Sequence, residues 1–242
     1  QVAKKLEELG IDCINISGGT YESGYTIIEP SSIPEAWKKD YAKAFKQSLN
    51  IPVIAVNNIK HPETAEALLE EGICDYIGLG RATLADPQWA NKAKAGRDEY
   101  IRTCVGCMNC FSQLMKYDRP VTCTVNPELG KEHLYTDLNK LVAKTGDGKK
   151  VVVIGAGPAG SEAAIVLANR GYKVTVFEKN EGCGGSIRLG AKPPYKFYFN
   201  EYISMLEKTM EEMGIDLRFN EEATVEKVKE LDPYGVVVAV GG

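Results

Sequence analysis

Apolar positions along the first hundred residues follow two alternating periods. Stretches such as "VAKKLEELG" and "ETAEALLEEG" space them three and four residues apart, the period of one helical face. Between them stand short apolar runs, "IDCINIS", "IPVIAV" and "CDYIGLG", bounded by turn residues as strands are. The pattern predicts a helix to about Leu9, one from about Pro34 to Leu49, one with Pro62 in its first turn, and a fourth starting near "LADPQWANKAKAG". Gly10 and Gly72 stand where helix C-caps belong. Helices that alternate with strands at this spacing predict right-handed βαβ units and a parallel sheet. Three such units close neither a barrel nor a doubly wound sheet. With Gln1 opening inside a helical pattern and "GVVVAVGG" closing on a strand, the chain is expected to be a fragment of a longer protein.

A second pattern begins at Val151, where "VVVIGAGPAGSEAAIVLANRGYKVTVFEK" reads as one strand–helix–strand unit. Between the two lie a cysteine-bearing stretch and a polar run ending "KTGDGKK", which has the composition of a linker. Three segments follow: 1–97, 98–149 and 150–242.

Composition excludes several functions. The 242 residues carry a net charge of −4 with the signs mixed along the chain, so no basic face for nucleic acid or an acidic membrane is evident. No apolar run reaches the roughly 20 residues that span a bilayer. Seven cysteines, four of them clustered, suggest a reducing, cytoplasmic compartment. Cys13 and Cys74 sit in apolar surroundings and read as small buried hydrophobes, while Cys183 has no partner at short spacing.

The cluster itself reads Cys104-x2-Cys107-x2-Cys110-x12-Cys123. Structural zinc sites pair two C-x2-C knuckles, or one knuckle with histidines, and the only nearby histidine is His133. Three ligands from one tight loop and a fourth from elsewhere favour a [4Fe–4S] cluster; zinc and four unrelated buried cysteines are the alternatives.

In the second pattern, Gly155-x-Gly157-x-x-Gly160 joins a strand to a helix. Gly155 allows the tight turn, Gly157 the approach of a pyrophosphate and Gly160 close helix–strand packing, with Ala159 inside the fingerprint at the helix start. Glu178 ends the next strand, 18 positions past Gly160, near the ~20 expected of the acid that holds ribose hydroxyls. It argues against a 2′-phosphate at this site.

The remaining candidates carry less information. Gly80 and Arg81 follow the third strand, and Asn57 and Asn58 follow the second. In a (β/α)8 barrel such loops collect phosphate, but Arg81 could equally pair with Asp86 or cap a helix. Tyr21 and Glu22, in "SGGTYESG", are placed either to touch substrate or to face solvent. His61 and His133 favour loop and capping roles, and no Ser-His-Asp or Cys-His set assembles.

The order of these features resembles one family. Barrel-like βα units ending "LGRATLADP", then the cysteine motif followed by "TVNP", then "VVVIGAGPAG" and a strand ending in Glu are similar to the iron–sulfur flavoprotein branch of the old yellow enzyme family. That branch contains 2,4-dienoyl-CoA reductase, 2-enoate reductases, bile-acid NADH:flavin oxidoreductases and trimethylamine dehydrogenase. The resemblance implies an α/β chain with three parts: the C-terminal part of an FMN-binding (β/α)8 TIM barrel, a [4Fe–4S] segment, and the start of a Rossmann-like FAD domain. It implies Cys104, Cys107, Cys110 and Cys123 as cluster ligands and Asn57, Asn58, Gly80 and Arg81 around the FMN phosphate. Gly155, Gly157, Ala159, Gly160, Glu178, Gly184 and Gly185 would line the FAD site. The implied activity is reduction of an activated C=C, with electrons passing from NAD(P)H through FAD, the cluster and FMN to a small unsaturated substrate.

The chain departs from the family at three places. Asn57-Asn58 stands where many members have Gly-Gly, Ala239-Val240-Gly241 where A-T-G is usual, and Tyr21 where the dienoyl-CoA reductase has a proton-donating histidine. Tyr21 is therefore the candidate acid. An amine dehydrogenase passing electrons to an external flavoprotein is the alternative reading, and a zinc-stabilised nucleotide-binding module a third. A homo-oligomer is left open.

Overall fold

The computed structural model describes residues 1–132 and 145–241. It divides into two compact units, Gln1–Leu129 and Gly130–Gly242. His133 and the middle of the expected linker lie outside the described residues.

In the first unit, α1 (Val2–Glu8) precedes β1 (Ile14–Ile16), α2 (Lys39–Ser48) precedes β2 (Val53–Ala55), and α3 (Pro62–Glu70) precedes β3 (Tyr76–Ile77). The strands pair in parallel and in sequence order, with Ile14 opposite Val53 and Ala55 opposite Ile77. Parallel neighbours returned by a helix are the repeat of a barrel wall. Gly10 and Gly72 end their helices at φ +91° and +64°, a left-handed conformation in which a Cβ is unfavourable. Val53, Ala55, Leu68, Ile73 and Trp89 form the centre of the core.

Two helices are shorter than the apolar period predicts. The chain turns over 34–38 and enters α2 only at Lys39, because Ala36 takes φ +50°. The fourth helix is split into α4 (Arg81–Ala85) and α5 (Trp89–Lys94). Asp86, ahead of Pro87, is extended as a residue preceding proline tends to be. Its carboxylate then accepts the Gln88 and Arg102 amides at 2.9 Å each and pairs with Lys92 at 2.6 Å.

The stretch from residue 98 to 129, which contains α6 (Asn109–Met115), packs into the first unit rather than standing apart. Val105 and Val125 are buried, and Asn126 donates to the Leu84 carbonyl at 2.9 Å. Cys74 is buried as expected. Cys13 corrects the expectation: it lies before the first residue of β1, outside the pairing, and is exposed.

The second unit runs β4 (Lys150–Ile154), α7 (Pro158–Asn169), β5 (Lys173–Phe177), α8 (Ile187–Gly190), α9 (Tyr198–Glu212), β6 (Asp216–Arg218), α10 (Val225–Glu230) and β7 (Gly235–Val238). All pairings are parallel, in the order β6–β5–β4–β7. That is 3-2-1-4 counted within the unit, the order of a dinucleotide-binding half. Val151, Val152 and Val153 are all buried, as the continuous apolar run of a central parallel strand requires. Helix α9 buries Tyr198, Tyr202, Met205, Leu206 and Met210, a stripe at helical period. No described helix is long and apolar enough to cross a membrane.

Helix α7 crosses β4 at Gly160, where a Cβ would sit 1.9 Å from the Gly155 carbonyl oxygen. Gly160→Ala therefore forces backbone atoms apart. We expect it to destabilise the protein by about 3 kcal/mol or more, read as a lowered denaturant midpoint.

Candidate functional site

Parallel pairing brings the loops after β1, β2 and β3 to one end of the first sheet. They surround a cavity of about 510 Å³ lined by Asn15, Asn57, Asn58, Lys60, Gly80 and Arg81 among apolar side chains from Ile27, Val56 and Leu79. Asn57 and Asn58 adopt φ +84° and +53°, values that glycine takes without strain and asparagine tolerates better than most residues. The Asn-Asn pair thus serves the backbone conformation that Gly-Gly would. The Asn58 amide donates to the Ile33 and Pro34 carbonyls at 2.7 and 3.1 Å. Its Oδ1, and that of Asn57, are buried without a hydrogen-bond partner. A buried orphan acceptor is costly, so a donor-bearing ligand or water in this cavity fits the residues present.

The Asn57–His61 loop is tied down from two sides. The buried Trp89 indole donates to the Lys60 carbonyl at 2.7 Å. Glu35 accepts the Lys60 and His61 amides at 2.8 and 3.1 Å and meets the His61 ring nitrogen Nδ1 at 2.6 Å. Burial pushes the Glu35 carboxyl upward, but the hydrogen bond and charge of His61 and the two amides outweigh it and hold the group below the ordinary glutamate value. His61 is the N-cap residue of α3, and its ring bonds Glu35 rather than the helix amides.

Arg81 opens α4 and faces a partner that the sequence did not suggest. Its Nη1 donates to the Glu29 carbonyl at 2.5 Å and its Nη2 to Glu29 Oε2 at 3.2 Å. Asp86, the expected partner, is taken by Lys92. Glu29 is buried and also pairs with Lys38 at 3.1 Å and accepts the Trp37 indole N–H at 3.0 Å. Glu29 lines the cavity, and Glu35 and Lys38 brace residues that do; the chain pattern revealed none of the three. An acid at the end of the apolar run "TIIEP" is the one signal for Glu29.

All four clustered cysteines line a second, smaller cavity together with Arg81, Leu84 and Met108. Burial pushes the Cys110 and Cys123 thiols up, and Cys104 and Cys107 raise both further. Arg81 acts on Cys110 in the opposite direction. Among the described residues no three Cys, His, Asp or Glu side chains converge tightly enough to hold one metal ion. Four thiols around one cavity, three from one tight loop and one from beyond it, are a donor set that fits an iron–sulfur cluster.

Tyr21 stands apart. It opens a 3₁₀ turn (Tyr21–Thr26), is 92% exposed, and does not line the cavity.

In the second unit the glycine loop borders a cavity of about 570 Å³ lined by Gly155, Gly157, Ala159, Glu178 and Gly185. Gly155 has φ +98°, and a Cβ there would meet the Ala239 carbonyl oxygen at 2.5 Å. Gly157 begins α7 with open space where its Cβ would be, a cradle for a ligand at a helix N-terminus. Gly184, at φ +111°, would press a Cβ against Ile203 at 2.7 Å, and a Cβ on Gly185 would meet the Gly157 Cα at 3.2 Å. Glu178 directly follows β5 and is buried. One oxygen accepts the Ala156 amide at 2.9 Å, and the other accepts the Asn180 amide at 2.9 Å and its side chain at 2.6 Å. The carboxylate thus braces the loop and keeps lone-pair capacity toward the cavity. Cys183 is buried, and burial with the Glu207 charge pushes its thiol up to about 12.

A parallel barrel-type wall with a cavity at its strand ends, and a glycine-loop half-fold with a cavity of its own, define an α/β protein with two candidate ligand sites. Residues 2–99 match the NADH:flavin oxidoreductase / NADH oxidase family, and residues 153–199 match the NAD(P)-binding Rossmann-like domain. The family likeness therefore covers most of the first unit. It is 38% identical over its whole length to the NADH oxidase of Thermoanaerobacter brockii, of which it spans 37%. It is 33% identical to the N,N-dimethylglycine/sarcosine dehydrogenase of Chromohalobacter salexigens over 92% of this chain and 32% of that one. The solved structure of 2-naphthoyl-CoA reductase with 2-naphthoyl-CoA matches all of this chain and 36% of its own, with a TM-score of 0.90 at 32% identity. The first unit is part of a TIM barrel.

The Glu35 clamp has a defined pH dependence. Its folded carboxyl is held below the ordinary value, so its stabilisation is complete above the unfolded value of about 4.3. It is lost as pH falls through the lower folded value. Glu35→Gln should cost about 1–2 kcal/mol at pH 7, and its unfolding free energy should fall less steeply than that of the parent between pH 5 and pH 3 (about one unit either side of the carboxylate range). Chemical denaturation across that window checks both.

Proposed function

We propose that the chain is part of an NAD(P)H-dependent flavin oxidoreductase that reduces an activated C=C of a small molecule. The observation that carries this reading is the joint lining of two adjoining cavities by Arg81: Asn57 and Asn58 line one, and all four cysteines line the other. FMN would occupy the first cavity, a [4Fe–4S] cluster the cysteine cavity, and FAD the glycine-loop cavity of the second unit. When bound, the flavins supply hydride chemistry and the cluster single-electron transfer, linking NAD(P)H to the substrate.

The residues of this chain supply position and charge. Arg81 presents a cation, and the left-handed Asn57-Asn58 turn lets backbone approach a phosphate. The Glu35 and Trp89 contacts keep that turn in place. In the second unit Gly157 leaves room for a pyrophosphate at the start of α7, and Glu178 accepts from ribose hydroxyls while holding Ala156. The exposed position of Tyr21 lends no support to a proton-donor role.

The amine dehydrogenase is the second reading, favoured by the likeness to N,N-dimethylglycine/sarcosine dehydrogenase. The absorption spectrum of the full-length protein separates the two: bleaching of flavin bands by NADH supports the reductase, and bleaching by a methylated amine supports the dehydrogenase.

Metal analysis of anaerobically purified protein should find about four irons per chain. Stoichiometric zinc without iron would remove the cluster. Glu178→Ala should lower FAD content at least about tenfold while FMN and iron stay unchanged, since ribose binding and loop bracing fail together. Unchanged FAD occupancy in that variant would sink the ribose role.

A further inference from the structure

We propose that Arg81 serves both cavities of the first unit at once, as a cation toward the flavin side and as the fixed charge that raises the reduction potential of the group held by the cysteines. This rests on the cofactor assignment proposed above. The Arg81 side chain is only 17% exposed, and its guanidinium is fixed by two bonds to Glu29, to its carbonyl at 2.5 Å and its carboxylate at 3.2 Å. Nη1 also lies 3.7 Å from Sδ of Met108, the first of the two residues between Cys107 and Cys110 in the motif, at φ +64°. Arg81 thus reaches the cysteine loop itself, not merely the same side of the sheet.

Glu29 holds Arg81 there without cancelling its charge. The carboxylate is shared with Lys38, whose Nζ is 3.1 Å away and is further anchored by the Gly18 carbonyl at 2.6 Å and by the Thr26 carbonyl. One buried anion faces two cations, so the trio keeps a net positive charge. A second, independent contact brings the same segment under the cysteine loop. Gly106, at φ +63°, lies so close to Ser31 that a Cβ would meet the Ser31 nitrogen at 2.8 Å. Residues 29–31 are therefore the floor on which the loop between Cys104 and Cys107 rests.

A buried positive charge stabilises the more negative, reduced state of a neighbouring cluster, and clusters are tuned by net charge and solvent exposure. In water the effect would be screened; at 17% exposure most of that screening is removed. The role is distinct from phosphate binding, because it acts even when the flavin cavity is empty.

The test uses the full-length protein with its cofactors, measuring flavin content and the midpoint potential of the iron–sulfur centre by reductive titration followed by electron paramagnetic resonance. Arg81→Gln should lose FMN and lower the cluster potential. At a fixed applied potential the ratio of reduced to oxidised cluster should fall about tenfold, which is 59 mV for a one-electron couple. Arg81→Lys keeps the charge but not the fork, so it should hold the parent potential while still retaining FMN poorly. Should Arg81→Gln fail to assemble, Lys38→Met decides. Lys38 lines neither cavity, and its loss leaves Arg81 neutralised by Glu29, so the potential should fall in the same direction. A variant set that loses flavin with no change in cluster potential would overturn the shared role and leave Arg81 a phosphate ligand only. A parent protein with flavin but no iron would instead overturn the cofactor assignment.

Discussion

A parallel strand can be followed by another only if the chain returns to the starting edge, so every strand of the sheet delivers its C-terminal end to one side. The placement of the chemistry here follows from that constraint. In the first unit the loops that carry Asn57, Asn58 and Arg81 are separated in sequence but meet in one cavity because β2 and β3 are parallel neighbours. In the second unit Gly155 and Glu178 meet because β4 and β5 run side by side, Ile154 opposite Phe177.

Within those loops, backbone conformation does what side chains usually do. Gly155 and Gly160 are required by close approach: one would press against Ala239, the other against Gly155. Gly157 is different, because nothing in the protein opposes a side chain there and its openness faces the cavity. The left-handed pair Asn57-Asn58 reaches a similar end without glycine, since asparagine tolerates that region and Asn58 gains two bonds that hold the 33–34 turn.

Charge then links what backbone has gathered. The Glu29 carboxylate, buried between Lys38 and Arg81, ties the segment after β1 to the start of α4 and, through Arg81 and Met108, to the cysteine loop. Such a group would be costly to bury alone, and two cations with an indole N–H offset that cost. Glu35 performs a comparable task at the β2–α3 loop through amides rather than through a second buried charge.

The sequence by itself determined the alternation of helix and strand, the glycine fingerprint with its acid, and the cysteine motif, because each depends on residues near one another in the chain. Period, turn chemistry and ligand spacing are local properties. Helix ends were less legible: α2 starts five residues late because Ala36 adopts a left-handed turn, and the fourth helix breaks at Asp86-Pro87. Only the tertiary structure decided the partners of the charged groups. Arg81 meets Glu29, 52 positions away, rather than Asp86, five positions away. Tyr21 points to solvent although it follows a strand end. Cys13 is exposed although its neighbours are apolar. Charge pairing and exposure depend on which loops the sheet brings together, and no periodicity along the chain encodes that distance.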